Sequence, residues 1–385
     1  MEQIRASFEK QFRRKAEITC FAPGRVNLIG EHTDYNGGHV FPCAINLGIY
    51  CAAARRNDRV LRFYSRNFPD TGECVYDLDA LSAKGCWADY PVSVIRAFAA
   101  FGYPIDHGAD FYYCGDLPDG AGLSSSAALE VATGVMLREL FKLPVTAQEV
   151  ALIGQFAENR FIGVNCGIMD QFASAVGKSG CAILLDSATL GYSYAPFSEK
   201  DAALVIVNSG VKHSLASSAY NDRRRECETA LADICKVKKI SSLCALSVDE
   251  FERYKDSITN PVCRKRARHA VYENDRTKQA AEALRNGDLT TFGSLMRESH
   301  MSLKDDYEVS CAELDFLAET AWSFDGIYGA RMTGGGFGGC TVNLIKKDRL
   351  AAFTGVVKEK YKEEFGIDAQ IFAVEISGGA CVINE

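Results

Sequence analysis

The sequence has little that would suit a membrane protein or a secreted protein. Its longest apolar runs, such as CAIL at 181–184, are interrupted by polar residues long before the roughly 18 residues that a membrane span needs. The N-terminal stretch MEQIRASFEKQFRRKAE mixes charged with isolated apolar residues, which predicts an amphipathic helix without the apolar centre of a secretory signal. We therefore expect a cytoplasmic protein.

Basic residues and metal-binding patterns are also sparse. The formal net charge is −7, and the densest basic cluster, Arg223–Arg225, is followed by Glu226 and Glu228. This pattern predicts a solvated helix face rather than a nucleic-acid surface. The 15 cysteines include no Cys-x-x-Cys pair, and the six histidines show no metal-ligand spacing beside them. Reduced, mostly buried cysteines are expected.

The 385 residues are enough for two domains, and they contain no internal repeat, low-complexity tract or long linker. In the first half, strand-like segments precede a helix predicted over 126–141 and another over 146–161, which opens with a capping-box pair at Thr146 and Glu149. The second half has long helical stretches at 215–236, 263–286, 288–302, 311–323 and 348–365. Strand-like segments lie between some of these helices.

Because strands and helices do not alternate regularly, this order predicts an α+β fold. The two expected domains cover residues 1–200 and 201–385, with the boundary placed between 195 and 205.

The stretch PDGAGLSSSA at 118–127 predicts a phosphate site. A turn and two glycines precede three serines at a helix start, where free backbone N–H groups and the helix dipole attract anions. Three hydroxyls are more than one helix cap requires, although redundant capping remains the alternative. Ser126 could also turn its hydroxyl toward a metal ion on the phosphates.

A second glycine cluster, TGGGFGGC at 333–340, includes a formal Gly-x-Gly-x-x-Gly pattern. The segment after it is strand-like, so a dinucleotide-binding fold is not indicated. The glycines indicate either a bulge or tight crossing, or backbone that closes against a ligand.

Two further stretches concentrate polar side chains. Charged and aromatic residues surround a short apolar strand in the stretch PGRVNLIGEHTDYNGG at 23–38. They form either a salt-bridged loop or a set of groups that hydrogen-bond sugar hydroxyls. VNCGIMDQFASAVG at 164–177 places Asp170 among apolar residues, as either a paired structural carboxylate or a catalytic one.

Together these stretches resemble the galactokinase family of the GHMP small-molecule kinase superfamily. GRVNLIGEHTDYNGG is similar to the family's signature, GAGLSSSAA to the superfamily's phosphate loop, and TGGGFGGC to its third glycine motif. CGIMDQFAS, HSLASSAYNDRRREC and HMSLKDDYEVSCAELD match as well, so the resemblance covers nearly the whole chain. Gly335 stands where many members carry alanine, a change that we expect to be harmless.

The resemblance implies a two-domain GHMP kinase fold with a ferredoxin-like C-terminal domain and the active site in the cleft between the domains. It implies transfer of the ATP γ-phosphoryl group to the C1 hydroxyl of α-D-galactose, the first committed step of the Leloir pathway, with Mg²⁺ as cofactor. Galactose and Mg-ATP are the expected partners, with no nucleic acid, membrane or protein partner and a monomeric state.

The resemblance also implies a role for each candidate residue. Asp170 and Arg25 are the catalytic residues, with Asp170 at the C1 hydroxyl. Residues that bind the sugar are Glu31, His32, Asp34 and Tyr220. Residues that bind ATP are Ser65, Gly120, Ala121, Gly122, Leu123, Ser124, Ser125 and Ser126. Residues that bind Mg²⁺ are Ser126 and Glu158.

Phosphoryl transfer needs positioning and charge stabilisation, which these residue types can supply. Arg25 should lower the pKa of Asp170, which would also weaken Asp170 as a base. Both removal of the proton and simple orientation of the hydroxyl are therefore compatible with these residues.

Two rival functions share the fold. A kinase for N-acetylgalactosamine would need room for a 2-acetamido group, and the HTDYNGG run favours the unsubstituted sugar. A galactose-sensing regulator would bind ligands without turnover, and the yeast sensor of this type lacks a Ser-Ala pair in the serine loop. The complete GLSSSAA loop and Asp170 favour the enzyme.

Overall fold

The protein is described here from a computed structural model. The described residues are 2–118, 122–198, 200, 202–212 and 216–383, with backbone only for residues 212 and 216–218. Among these residues, no helix combines the length and the apolar character needed to cross a membrane.

The structure mixes helices and strands along the whole chain. The α-helices are α1 (Glu2–Phe12), α2 (Asp89–Ala100), α3 (Ser125–Leu140), α4 (Ala147–Ala157), α5 (Met169–Val176), α6 (Ala216–Cys235), α7 (Val248–Tyr254), α8 (Pro261–Arg285), α9 (Leu289–Asp305), α10 (Ala312–Trp322) and α11 (Leu350–Phe365). The strands are β1 (Ile18–Asn27), β2 (His39–Val40), β3 (Pro42–Arg55), β4 (Val60–Ser65), β5 (Cys74–Asp77), β6 (Ala109–Gly115), β7 (Cys181–Asp186), β8 (Tyr192–Pro196), β9 (Ala202–Lys212), β10 (Ile327–Thr333), β11 (Gly338–Lys346), β12 (Gln370–Val374) and β13 (Cys381–Val382).

The first half is built on a six-stranded sheet in the order β13-β1-β3-β6-β4-β5. Because side chains alternate along a strand, Ala52 and Tyr112 face α1 on one side of the sheet, whereas Cys51 and Tyr113 join the core beneath α2–α5 on the other. The last strand of the chain, β13, pairs with β1 in this sheet. A smaller sheet has the order β2-β7-β8.

The second half contains an antiparallel four-stranded sheet in the order β10-β11-β9-β12. With α6–α10 between β9 and β10, and α11 between β11 and β12, this is the strand order of a ferredoxin-like fold. One sheet face packs against α10 and α11. The other face packs against α8 and α9 and shares a core with apolar residues of β1 and β3, so the two halves are joined by a continuous apolar contact.

Several local predictions are confirmed. Thr146 and Glu149 form a capping box, in which the Glu149 N–H donates to Thr146 Oγ1 over 3.2 Å and the Thr146 N–H donates to Glu149 Oε2 over 2.8 Å. The predicted long helices of the second half correspond to α6, α8, α9, α10 and α11. Helix α4 continues into a π-helical turn at Glu158–Ile162, and such turns occur frequently at functional sites.

Candidate active site

Arg25 and Asp170 meet between the phosphate loop and the start of α5. Arg25 Nε and Nη2 both lie 2.8 Å from Asp170 Oδ1, and Arg25 Nη1 donates to the Gly122 carbonyl over 2.7 Å. Ser124 Oγ donates to Asp170 Oδ2 over 2.6 Å. Arg25 is 4% exposed, whereas the Asp170 side chain is 30% exposed. The carboxylate is therefore held at both oxygens and remains accessible from one side.

The three serines at the start of α3 do not form redundant caps. Ser124 occupies the N-cap position with φ +63°, and its side chain makes no capping hydrogen bond because it is directed to Asp170. Ser125 is exposed and Ser126 is half-buried. The left-handed backbone at Ser124 is unfavourable for a residue with a Cβ and is typical of a functional site. Two residues predicted to bind phosphate, Gly120 and Ala121, lie outside the described residues.

All four predicted sugar-binding residues line one cavity of about 210 Å³, together with Arg25 and Asp170. The lining residues come from both halves of the chain: Arg25, Glu31, His32, Asp34, Glu158, Val164, Cys166, Gly167, Met169, Asp170, Tyr220, Gly334 and Gly335. The first signature and the third glycine motif are separated by some 300 residues of sequence, and they meet at this cavity.

Glu31 lies at the cavity, but its carboxylate is already engaged inside the protein. Glu31 Oε2 lies 2.6 Å from Arg331 Nη2 and accepts from Asn27 Nδ2 over 2.7 Å. Glu31 Oε1 accepts from the Gly334 N–H over 2.8 Å and from Thr333 Oγ1 over 3.2 Å. Burial raises the pKa of Glu31, and the charge of Arg331 opposes that shift. Glu31 thus connects the first signature to the third glycine motif through hydrogen bonds.

Asp34 and Tyr220 face the same cavity from opposite halves. Burial, followed by the nearby charge of Asp170, raises the pKa of Asp34 to about 6. A Cβ on Gly167 would overlap the Asp34 carboxylate, so this contact explains why a glycine stands at 167. The Tyr220 ring packs 5.5 Å from the ring of His32, and burial raises the pKa of its phenol.

His32 is 5% exposed and has the left-handed φ of +62°. Burial lowers its pKa to about 3, so the ring is neutral near pH 7. Nδ1 lies 2.8 Å from the Tyr35 hydroxyl, while Nε2 makes no hydrogen bond of ordinary geometry among the described residues, and the nearby Gly335 backbone opposes the lowering of the pKa. A buried polar nitrogen without a partner beside a cavity is suited to a polar ligand.

A second cavity, of about 170 Å³, is lined in part by serines at the start of α3. It contains three residues predicted to contact ATP: Ser65, Ser125 and Ser126. The other lining residues are mainly aromatic or aliphatic: Ile49, Asn67, Phe68, Trp87, Tyr90, Tyr113, Cys114, Gly115, Leu117 and Leu129. The Phe68 and Trp87 rings are nearly parallel, with centroids 6.3 Å apart. Leu123, the remaining loop residue, is buried in the core.

Sequence reasoning did not identify Phe68, Trp87 and Tyr90 as site residues. The sequence contained an indication of this cavity, because Trp87 and Tyr90 lie at the start of an amphipathic helix, where aromatic rings can line a flat apolar pocket. That helix, α2, was not predicted either.

The two cavities approach each other at Ser126 and Glu158. Ser126 lines the second cavity and Glu158 lines the first, and the nearby Ser126 hydroxyl favours the ionised form of Glu158. Burial raises the pKa of Glu158, whose Oε2 accepts from Gln171 Nε2 over 2.7 Å.

This pair fits a magnesium ion in chemistry, since Mg²⁺ takes oxygen ligands and commonly binds one or two carboxylates plus substrate phosphates. Within the described ranges, no three His, Cys, Asp or Glu side chains gather into a metal-binding set. ATP would therefore have to supply further ligands.

Three family models match the chain. Residues 6–55 match the galactokinase galactose-binding signature, residues 89–178 the GHMP kinases N terminal domain, and residues 280–363 the GHMP kinases C terminal domain. The chain is 51% identical over 379 residues to a galactokinase of Clostridium acetobutylicum, covering 98% of this chain and 97% of that one. The chain belongs to the galactokinase family.

Other comparisons agree with this membership. A Bacillus subtilis galactokinase is 47% identical over 382 residues, covering 98% of each chain. The crystal structure of Lactococcus lactis galactokinase complexed with galactose matches with a TM-score of 0.96 at 44% identity, covering 99% of each chain. Methanococcus jannaschii mevalonate kinase, at 17% identity over 95% of this chain and 100% of that one, shares the fold with a TM-score of 0.66. The predicted GHMP kinase fold is confirmed, and this member of the galactokinase family is an ATP-dependent sugar kinase.

Proposed function

We propose that this enzyme transfers the γ-phosphoryl group of ATP to the C1 hydroxyl of α-D-galactose, forming galactose 1-phosphate and ADP. The observation that carries the proposal is the carboxylate of Asp170, held by Arg25 and Ser124 where a polar cavity meets a phosphate-type loop. Glu31, His32, Asp34 and Tyr220 would line the sugar site.

In this proposal the second cavity takes the nucleotide. Ser65 and the aromatic side chains would contact the adenosine part, and residues 120–126 would contact the phosphates. Ser125 and Ser126 line the second cavity and Ser124 bonds Asp170, so a phosphate chain that follows the serine loop would lead from that cavity toward Asp170. Backbone N–H groups at a helix start and the Arg25 guanidinium favour phosphate at this position.

Asp170 acts on the attacking hydroxyl. Its two oxygens accept hydrogen bonds from Arg25 and Ser124, and a carboxylate has further lone pairs for a substrate hydroxyl. Arg25 also bonds the Gly122 carbonyl, so one guanidinium fixes the carboxylate relative to the phosphate loop. Positioning of this kind is the main requirement of phosphoryl transfer.

Ser126 and Glu158 would hold Mg²⁺, which neutralises phosphate charge when it is bound. The proposal also keeps two domains, 1–200 and 201–385, with β13 returning to the first sheet. It further includes a monomer in the cytoplasm, where the free thiols of the described residues would remain reduced.

The test is turnover of galactose with Mg-ATP, with ³¹P NMR of the product to locate the new phosphate ester. Formation of galactose 1-phosphate supports the proposal. Binding of galactose and ATP without product would indicate the sensor function, and a higher kcat/KM for N-acetylgalactosamine would indicate the rival kinase.

A further inference from the structure

A chain of hydrogen bonds runs behind His32, on the side away from its free nitrogen. The Tyr35 hydroxyl lies 2.8 Å from His32 Nδ1 and 2.8 Å from the Tyr307 hydroxyl. The Tyr307 hydroxyl in turn lies 3.2 Å from Cys227 Sγ. Tyr307 is 0% exposed and Cys227 is 2% exposed, so bulk water does not compete at this end of the chain.

The chain can have only two directions. Each phenol has one hydrogen and two partners here, so it donates to one neighbour and accepts from the other. Asn36 Nδ2 also donates to Cys227 Sγ over 3.7 Å, so the sulfur already accepts one hydrogen bond. In the first direction the Cys227 S–H donates to Tyr307, Tyr307 donates to Tyr35, and Tyr35 donates to His32 Nδ1. In the second direction the His32 Nδ1–H donates to Tyr35, Tyr35 donates to Tyr307, and Tyr307 donates to Cys227 Sγ.

The direction of the chain decides which nitrogen of His32 carries the hydrogen. With Nδ1 accepting from Tyr35, a neutral ring must carry its hydrogen on Nε2. Burial lowers the pKa of His32 to about 3, so the doubly protonated form is absent near neutral pH. Nε2 is the nitrogen that makes no hydrogen bond of ordinary geometry among the described residues; the Gly335 backbone lies near the ring and opposes the lowering of its pKa, and both residues line the cavity.

We propose that Tyr35 is a positioning residue that fixes the tautomer of His32, so that Nε2–H donates a hydrogen bond to one hydroxyl of the bound sugar. Tyr307 supports Tyr35 by donating to its oxygen. The inference rests on the proposed function, because it takes the occupant of the cavity to be a sugar.

The backbone around His32 supports a fixed ring. His32 holds a left-handed φ of +62°, and its carbonyl accepts from Asn36 Nδ2 over 2.8 Å. The ring also packs against Tyr307, with centroids 4.7 Å apart. A ring held in this way presents a single donor in one direction, which favours recognition of a particular hydroxyl.

The first experiment compares Tyr35→Phe and Tyr307→Phe with the wild type. Tyr35→Phe is expected to raise KM for galactose about tenfold, the worth of one buried hydrogen bond, while kcat and KM for ATP stay within about twofold. Tyr307→Phe should have a smaller effect, because Tyr35 can still donate to Nδ1. The control is Tyr361→Phe, which removes a buried hydroxyl that donates to the Ser209 carbonyl in the other half.

The second experiment uses 2-, 3-, 4- and 6-deoxygalactose as substrates. If Tyr35 acts through one hydroxyl, the penalty of Tyr35→Phe disappears for the one analogue that lacks this hydroxyl and persists for the other three. An equal penalty with all four analogues, or no penalty with galactose, would overturn the inference. If Tyr35→Phe does not fold, the histidine spectra of the wild-type enzyme decide the inference.

The third measurement is direct. Two-bond ¹H–¹⁵N spectra of ¹⁵N-histidine-labelled enzyme report the tautomer, with His32 assigned from the signal lost in His32→Gln. The wild type should show hydrogen on Nε2, and hydrogen on Nδ1 would contradict the inference. Absence of wild-type galactose turnover would refute the proposed function, whereas normal turnover with an unaffected Tyr35→Phe would refute only this inference.

Discussion

The two cavities differ in the chemical character of the residues that line them. Side chains of both halves line the cavity proposed for the sugar, called the sugar cavity below, and most of its polar groups are fixed by hydrogen bonds. The cavity proposed for the nucleotide, called the nucleotide cavity below, is lined by residues between 49 and 129 and is mainly aromatic and aliphatic. Its amide side chain, Asn67, is already paired in both directions with the Gly115 backbone.

This difference indicates which cavity discriminates between substrates. A buried polar cavity rejects a wrongly oriented hydroxyl strongly, because the unmatched groups on both sides remain without partners. An apolar cavity distinguishes its ligands by shape and is less selective. The sugar cavity should therefore determine substrate choice. Substitutions in it should alter the kinetics of the sugar and leave ATP affinity unchanged.

The largest effect is expected at the Asp170 carboxylate, which lines the sugar cavity. Asp170→Asn should lower kcat by about 10²–10⁴, because the amide cannot accept the hydroxyl proton. ATP affinity, measured by calorimetry, should stay near wild type. The control is Asp186→Asn, since that carboxylate serves a turn between β7 and β8. More than a tenth of wild-type kcat in Asp170→Asn would remove Asp170 from the catalytic role.

Glu31 tests how much of the sugar cavity is structural. Glu31→Ala leaves the fully buried Arg331 without its partner, and loss of one member of a buried pair costs about 3–5 kcal/mol of folding free energy. Chemical denaturation measures this loss. Glu282→Ala, which removes an exposed helix pair with Arg285, should cost less than about 1 kcal/mol. Equal losses in the two variants would contradict a structural role for Glu31.

The sugar cavity should also respond to pH through Asp34. The raised pKa of about 6 means that the folded protein holds this proton more tightly than the unfolded chain does. The resulting stabilisation is complete below the ordinary pKa of 3.8 and is lost as pH rises through about 6.

Sugar hydroxyls need the ionised carboxylate as acceptor, so KM for galactose should rise about fivefold when pH falls from 6 to 5, as the ionised fraction of Asp34 falls. KM for ATP should not follow. Asp34→Asn should lack this inflection, and an unchanged inflection in that variant would assign the titration to another group.

The smallest effect is expected for Ser126, and its substitution tests the binding of Mg-ATP. Ser126→Ala should leave the thermal midpoint of the ligand-free protein unchanged, because α3 begins without a side-chain cap. The upward shift of the midpoint produced by Mg-ATP should become smaller. A lost cap would instead cost about 0.5–2 kcal/mol without ligand. A lower ligand-free midpoint with an unchanged Mg-ATP shift would favour the capping role.

Much of the fold followed from local sequence, because capping pairs and apolar periodicity act over a few residues. The pair at Thr146 and Glu149 and the helix α8 are examples. Helix α2 was missed, since it begins without a side-chain cap, at Asp89 after Ala88. The strand β13 was missed because only its distant partner β1 stabilises it.

The candidate site was predicted through its motifs, yet the partners of several residues could not be. Nothing near Glu31 in sequence indicates Arg331, and nothing near Ser124 indicates that its hydroxyl reaches Asp170 rather than the helix start. Such contacts depend on how distant segments pack, and sequence periodicity carries no information about them.

The most direct test of the central claim is the ratio of kcat/KM for galactose to that for glucose at saturating Mg-ATP. These sugars differ only in the direction of the C4 hydroxyl. A cavity of fixed, buried hydrogen-bonding groups predicts a ratio of about 10⁴ or more in the wild type. It also predicts a lower ratio in Asp34→Ala with unchanged ATP affinity. Comparable kcat/KM values for galactose and glucose in the wild-type enzyme would contradict the account.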